Sequence, residues 1–233
     1  MAIVDSGVDG DHPQVGGVQG GVVLEYDRDA ADGVRATAGL HDDLFGHGTA
    51  CAGVIRGIAP ECEIHSVRVL GSGLTGKGLV FAAGLRWAIE HGMDVVNLSL
   101  STSRSQYFAL FHELADQAYF ARTVLVAAMN NVVAETYPSQ YSSVCSVAAR
   151  PAGAGPGFSY NPAPPAEFGA AGIDVDVAWL DGGTLNATGN SFAAPVIAGH
   201  AALILSKHPG LTPFQVKTVL QATADNAVAR EQG

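Results

Sequence analysis

Apolar residues along the chain gather into short, nearly unbroken runs: AIVD (2–5), IHSVRVL (64–70), VVNLSL (95–100), TVLVAA (123–128) and VCSVAA (144–149). Runs this short with so few polar interruptions fit strands buried on both faces. Stretches of helical periodicity lie between and after them, at 48–56, 79–91, 105–121, 191–207 and 213–224. The last has a defined start, with Thr212 as N-cap and Pro213 at the first helical position, and Gly210 separates it from the helix before. Alternating buried strands and helices predict an α/β domain, doubly wound, with a mostly parallel central sheet and helices on both faces. Residues 151–190 break the rhythm with prolines, glycines and strand-like pieces such as IDVDVAWL (173–180), and read as a surface excursion of the same domain.

Composition narrows the function. The 233 residues fit one domain, 1–233, large enough for a substantial core, and 48% hydrophobic against 15% charged residues excludes disorder. The formal net charge, 12 − 22 = −10, disfavours nucleic acid and anionic membrane as partners and favours cationic peptides. The longest apolar run, within 192–205, is broken by Pro195 and His200 and is too short to span a bilayer. Met1 leads straight into AIVD without a basic region or cleavage site. The expected location is therefore cytoplasmic, or secreted if the front has been trimmed. Cys51, Cys62 and Cys145 are odd in number and widely spaced, which suits reduced thiols. With no C-x-x-C or paired-His spacing beside them, neither a metal nor another cofactor is expected.

One glycine-rich stretch complicates this picture. GSGLTGKG (71–78) satisfies G-x-G-x-x-G and also G-x-x-x-x-G-K, between a β-like and a helical segment. The match to a phosphate cradle fails in detail. Gly78 stands where a magnesium-binding hydroxyl is needed, and Asp94 precedes the next strand instead of ending it. A glycine-rich surface loop with another purpose is the better reading.

Functional groups of such sheets gather at the carboxyl ends of the strands. Asp5 closes AIVD, His47 sits in FGHGTACAG at a helix start, and Ser191 sits in TGNSFAAPVIAGHAALIL at another. Each alone is weak evidence, since a turn aspartate, a lone histidine and an N-cap serine are all ordinary. Together, DSGVDGDHP (5–13), GHGTACAG (46–53) and GNSFAAP (189–195) resemble the three signatures of the subtilisin-like serine proteases, or subtilases. VRVLGSGLTGKG, LRWAIEHGMDVVNLSLS, TVLVAAMNN and TYPSQYSSVCSVAA follow the same family's sequence in order, so the resemblance covers most of the chain. An α/β-hydrolase esterase is rejected, because no acid lies between Ser191 and the last histidine, His208, and GNSFA lacks the final glycine of G-x-S-x-G.

The resemblance implies a serine endopeptidase. Ser191 would be the nucleophile, His47 its base and Asp5 the carboxylate that orients and stabilises the imidazole, with Asn130 donating its side-chain amide to the oxyanion. Leu74, Thr75 and Gly76 on one side and Ser99, Leu100 and Ser101 on the other would pair with an extended peptide as an added strand. In that reading the glycines of GSGLTGKG serve the close approach of a chain.

Departures from the family shape the expectations. The chain starts almost at the aspartate, without the usual segment before it, so a missing N-terminal segment or a partner chain could complete the domain. CAGVIRGIAP (51–60) runs on without the inserted calcium loop of secreted members, and DRDAADG (27–33) lacks the regular ligand spacing, so no tight calcium site is expected. Met129 and Ser101 stand where the family usually has glycine and should shrink the specificity pocket, predicting small or unusual residues before the scissile bond. Gly78 replaces a bulky lid residue, which predicts an open far end. Cys51 lies four residues after His47, where thiol-dependent members hold a cysteine, and core packing is its simpler role. Asp42 and Asp43 are either solvated loop residues or acids near the second subsite. His41, His65, His91, His112, His200 and His208 match no catalytic position. A peptidase that matures one precursor fits the altered pocket; a catalytically silent subtilase domain that binds peptides or partner proteins is the alternative.

Overall fold

Side chains of the first strand, β1 (Ala2–Asp5), divide between two cores: Ile3 enters one, Ala2 and Val4 the other. A strand that buries both faces must lie inside a sheet covered on both sides, and the computed structural model, which describes residues 1–153 and 157–227, places it there. The elements that follow are β2 (Gly20–Tyr26), β3 (Val34–Ala38), α1 (His47–Ile58), β4 (His65–Arg68) and α2 (Gly78–Glu90). Next come β5 (Val95–Leu98), α3 (Phe108–Phe120), β6 (Val124–Ala128), β7 (Cys145–Pro151), β8 (Phe158–Tyr160) and β9 (Phe168–Ile173). The chain continues through β10 (Val175–Ala178), β11 (Thr184–Ala187), α4 (Asn190–Lys207) and α5 (Pro213–Thr223).

Nine strands form one sheet in the order β3-β2-β4-β1-β5-β6-β7-β9-β8. All neighbours run parallel except the outermost pairs, β2 with β3 and β8 with β9. Cys51, Ala52 and Ile55 of α1, Ala194 and Ile197 of α4, and Val216 and Leu220 of α5 fill one core. Phe81 and Leu85 of α2 and Phe111 and Leu114 of α3 fill the other. This is the doubly wound α/β architecture expected. Thr212 does cap α5, within a reciprocal capping box with Gln215 and with Pro213 at the helix start.

Two segments differ from the sequence reading. The β2–β3 hairpin was not foreseen, and DRDAADG is its tip, where the Asp29 and Val34 N–H groups donate to the carboxylates of Asp27 and Asp32. The expectation that 151–190 is a surface excursion is corrected. β8 and β9 extend the central sheet, and β9 alternates buried and half-buried positions through FGAAGI. Its small residues, which mimic a loop, are there for packing: a Cβ at Gly172 would overlap the Gly189 carbonyl and crowd Ala193 of α4. Of that segment, 154–156 lie outside the described residues.

Candidate active site

Asp5 is the last residue of β1, at the carboxyl edge of the sheet, and its backbone carbonyl accepts from the Val69 and Leu70 N–H groups at 2.8 and 3.2 Å. Its carboxylate is fully buried. Ser6 N–H donates to Oδ1 at 2.7 Å, and His47 Nδ1 lies 2.9 Å from each oxygen. Since a carboxylate can only accept, His47 donates from Nδ1, which leaves Nε2 as the basic nitrogen. Burial lowers the His47 pKa; the charge and hydrogen bond of Asp5 and the charge of Asp43 outweigh it and hold the group above the usual histidine value.

His47 opens α1, and the start of that helix is unusual. The residue before it, Gly46, has φ 105° and no capping side chain. Asp43 takes over that role. Its carboxylate accepts from the N–H groups of Phe45, Gly46 and Thr49 at 3.0, 2.9 and 2.9 Å, from Thr49 Oγ1 at 2.6 Å and from Ser6 Oγ at 2.7 Å. Both sequence readings of Asp43, as a solvated loop residue or an acid facing a substrate, are corrected, because five donors enclose it in the interior. Asp42 beside it is exposed. Gly48 must be glycine, since a Cβ there would overlap the carbonyl oxygen of Gly7 in the loop after β1.

Ser191 lies in the first turn of α4, whose interior holds Pro195. Proline has no N–H, so it leaves the carbonyl four residues earlier, that of Ser191, without its helical partner. Ser99 Oγ donates to that oxygen at 2.8 Å, and the Cys51 thiol approaches it at 3.6 Å while donating to Ser99 Oγ at 3.2 Å. Asn97 Nδ2 also donates to Ser99 Oγ, at 3.0 Å. Burial first, then the charge of Asp5, pushes the Cys51 thiol well above its ordinary pKa, so it is a neutral packing group. Among the described residues, Asp5, His47 and Cys51 form a group whose potential metal-ligating atoms all lie within 4.8 Å of one another. Two of the three already bond each other and the third is protonated.

A groove of about 620 Å³ runs past His47 and Ser191. Two segments line it, Leu74 to Gly76 and Ser99 to Ser101, together with Met129, Asn130 and Asn131. Thr102 exchanges backbone hydrogen bonds with Tyr137 at 3.0 and 2.9 Å, which anchors the second segment. The first is a turn closed on itself by Gly71 N–H to the Thr75 carbonyl and Leu74 N–H to the Gly71 carbonyl, both at 3.0 Å. A Cβ at Gly76 would meet the Val69 carbonyl at 2.7 Å, and Lys77 Nζ sits 3.0 Å over the centre of the Tyr26 ring. The glycine thus serves close backbone packing and the lysine a cation–π contact, consistent with rejecting a phosphate cradle.

The expectation of an open far end is corrected. A Cβ at Gly78 would run into the ring of Tyr107, which projects from the turn before α3 and lines the groove there. Glycine at 78 is the space that this ring fills. Sequence reasoning missed Tyr107, because it is distant in the chain and carries no motif. It missed Asn190 too, although the residue lies inside the quoted GNSFAAP.

Residues 1–233 match the sequence profile of the Subtilase family. Subtilisin E of Bacillus subtilis (strain 168) is 34% identical over 96% of this chain, which spans 60% of that protein's length. The subtilisin of Bacillus pumilus is also 34% identical, with 96% of this chain and 82% of its own length covered. Among solved structures, a cold-adapted subtilisin-like serine proteinase superposes with a TM-score of 0.74 at 26% identity, covering 97% of this chain and 84% of that one. A psychrophilic protease superposes with a TM-score of 0.78 at 25% identity, covering 95% and 81%. Motif order, sheet topology and end-to-end similarity lead to one conclusion: the chain belongs to the subtilase family.

Proposed function

We propose that this protein is a serine endopeptidase that hydrolyses an extended peptide or protein segment. The observation that carries the reading is the buried Asp5–His47 pair opening onto the same groove as Ser191 and Asn130. In this reading His47 Nε2 takes the Ser191 Oγ proton as the oxygen attacks the scissile carbonyl, and Asp5 stabilises the resulting imidazolium. The oxyanion is met by the Asn130 amide and by the Ser191 N–H in the first turn of α4, where N–H groups lack intrahelical acceptors. Asn130 suits this role because the Val132 N–H donates to its Oδ1 at 3.3 Å, leaving its amide nitrogen as the free end. The proton then passes from His47 to the leaving amine, and water repeats the sequence on the acyl-enzyme.

The substrate would enter as a strand between the segments 74–76 and 99–101. Met129 on the wall favours a small residue before the scissile bond, a restriction suited to a peptidase that matures a particular precursor. The net charge of −10 favours cationic segments around the cleavage site. Among the described residues no helix is long and apolar enough to cross a membrane.

A fluorophosphonate probe followed by intact-mass analysis tests the reading, with Ser191→Ala as control. One adduct mapped to Ser191 and absent from the control is expected. Folded protein that takes no adduct would overturn it in favour of a silent peptide-binding domain.

A further inference from the structure

Asn190 immediately precedes Ser191, and its side chain is bound on every side. Nδ2 donates to the carbonyl of Met129 at 3.1 Å and to that of Asn130 at 3.0 Å, while Oδ1 accepts from the Ala149 N–H at 2.7 Å. A fourth bond returns the connection, from the Asn190 backbone N–H to Asn131 Oδ1 at 2.9 Å. A primary amide has two N–H donors, and here both are occupied by the backbone that carries Asn130. Asn190 therefore has no donor left for a substrate oxygen.

We propose that Asn190 is a positioning residue that locks the segment 129–131, and with it the Asn130 amide, in register with the start of α4. The inference rests on the proposed endopeptidase reading and adds to it a physical link between the nucleophile's helix and the oxyanion donor. The segment 129–131 leaves β6, where the Met129 N–H still pairs with the Val147 carbonyl at 2.9 Å, and enters an exposed stretch from Asn131 on. Three hydrogen bonds tie it to residue 190, and a fourth, from the Ala149 N–H to Asn190 Oδ1, ties residue 190 to β7. An oxyanion donor works only if fixed where charge develops, and a misplacement of about 1 Å can cost on the order of 10²-fold in rate.

The test is a double-mutant cycle with Asn130. Asn190→Ala in the parent is expected to lower kcat roughly tenfold or more with KM nearly unchanged. In an Asn130→Ala background the same change should have almost no further effect, because the group being positioned is gone. An equal loss in both backgrounds would overturn the proposal and assign Asn190 a general structural role. If Asn190→Ala folds poorly, Asn190→Val removes both donors with less lost volume and serves in the same cycle. Should the parent show neither turnover nor labelling at Ser191, the endopeptidase reading fails separately. The positioning claim is then read from a crystal structure of the variant, where segment 129–131 must be displaced; an unmoved segment would overturn it.

Discussion

Ser99 Oγ donates at 2.8 Å to the carbonyl oxygen of Ser191, the acceptor that Pro195 leaves free. The proline of GNSFAAP thereby becomes understandable: it opens one carbonyl at the head of α4, and a side chain from the end of β5 takes it. The helix that carries Ser191 is pinned to the sheet beside the groove.

Ser99→Ala should cost about 1–3 kcal/mol, the usual penalty for a buried acceptor left unpaired. Adding Pro195→Ala should recover part of that loss, because an N–H returns four residues after Ser191. Chemical denaturation of the two single variants and the double variant measures this; strictly additive losses would contradict the arrangement.

The pH dependence follows from the two carboxylates near His47. Facing the ring are Asp5 from β1, Asp43 from the loop before α1, Cys51 from α1, and Ser191 and Phe192 from α4. His47 must be neutral to act as base, and its pKa is raised, so kcat/KM should rise with pH through a midpoint above the ordinary value of about 6.5. Asp43→Asn should move that midpoint down. In stability the sign is opposite: protonated His47 contributes fully below about pH 6.5, and the contribution is lost as pH rises through the raised folded value. An unmoved midpoint in the variant would remove Asp43 from the electrostatics of the site.

Tyr107→Ala should open the far end of the groove. Peptide-library profiling is expected to show a new tolerance for large side chains several residues before the scissile bond, with kcat on short substrates little changed. A profile identical to the parent's would mean that the ring does not border bound substrate.

Arg56 holds together two loops that meet at the end of α1. Its guanidinium donates to the carbonyls of Val15, Pro60, Cys62 and Gly17 at 2.8, 2.6, 2.7 and 3.2 Å. Arg56→Ala should cost about 2 kcal/mol, less than the sum of its bonds because the group is half-exposed and water replaces some of them. Arg56→Lys should recover less than half, since one ammonium cannot reproduce the fork. The urea midpoint at constant m is the measure, and full rescue by lysine would contradict the claim.

Strands buried on both faces were the most legible part of the fold: β1, β5 and β6 are nearly continuous apolar runs because every one of their positions is buried. β2 was missed because Glu25 and Tyr26 are exposed and it buries only alternate residues, and β9 because its run of small residues, with Gly172 against Ala193 of α4, mimics a loop. At the site, the family resemblance pointed to Asp5, His47, Ser191 and Asn130, and the structure pairs the first two and puts His47, Ser191 and Asn130 on one groove. Asp43 was misread because an aspartate in a polar loop looks solvated until its donors, drawn from both sides of His47, are seen. Gly78 was misread because a glycine signals space, and only the fold shows that Tyr107 occupies it.

The central position of β1 has a temporal consequence. Its partners β4 and β5 bring residues 65–68 and 96–97 to it, and the groove is completed by Ser191. As a ribosome releases the chain, the strand bearing Asp5 emerges before β4 and β5 and must wait for both, and Ser191 emerges later still. Contacts of such large sequence separation form slowly. The groove that holds His47 and Ser191 therefore cannot assemble until the chain has been synthesised through Ser191 and the sheet between has formed.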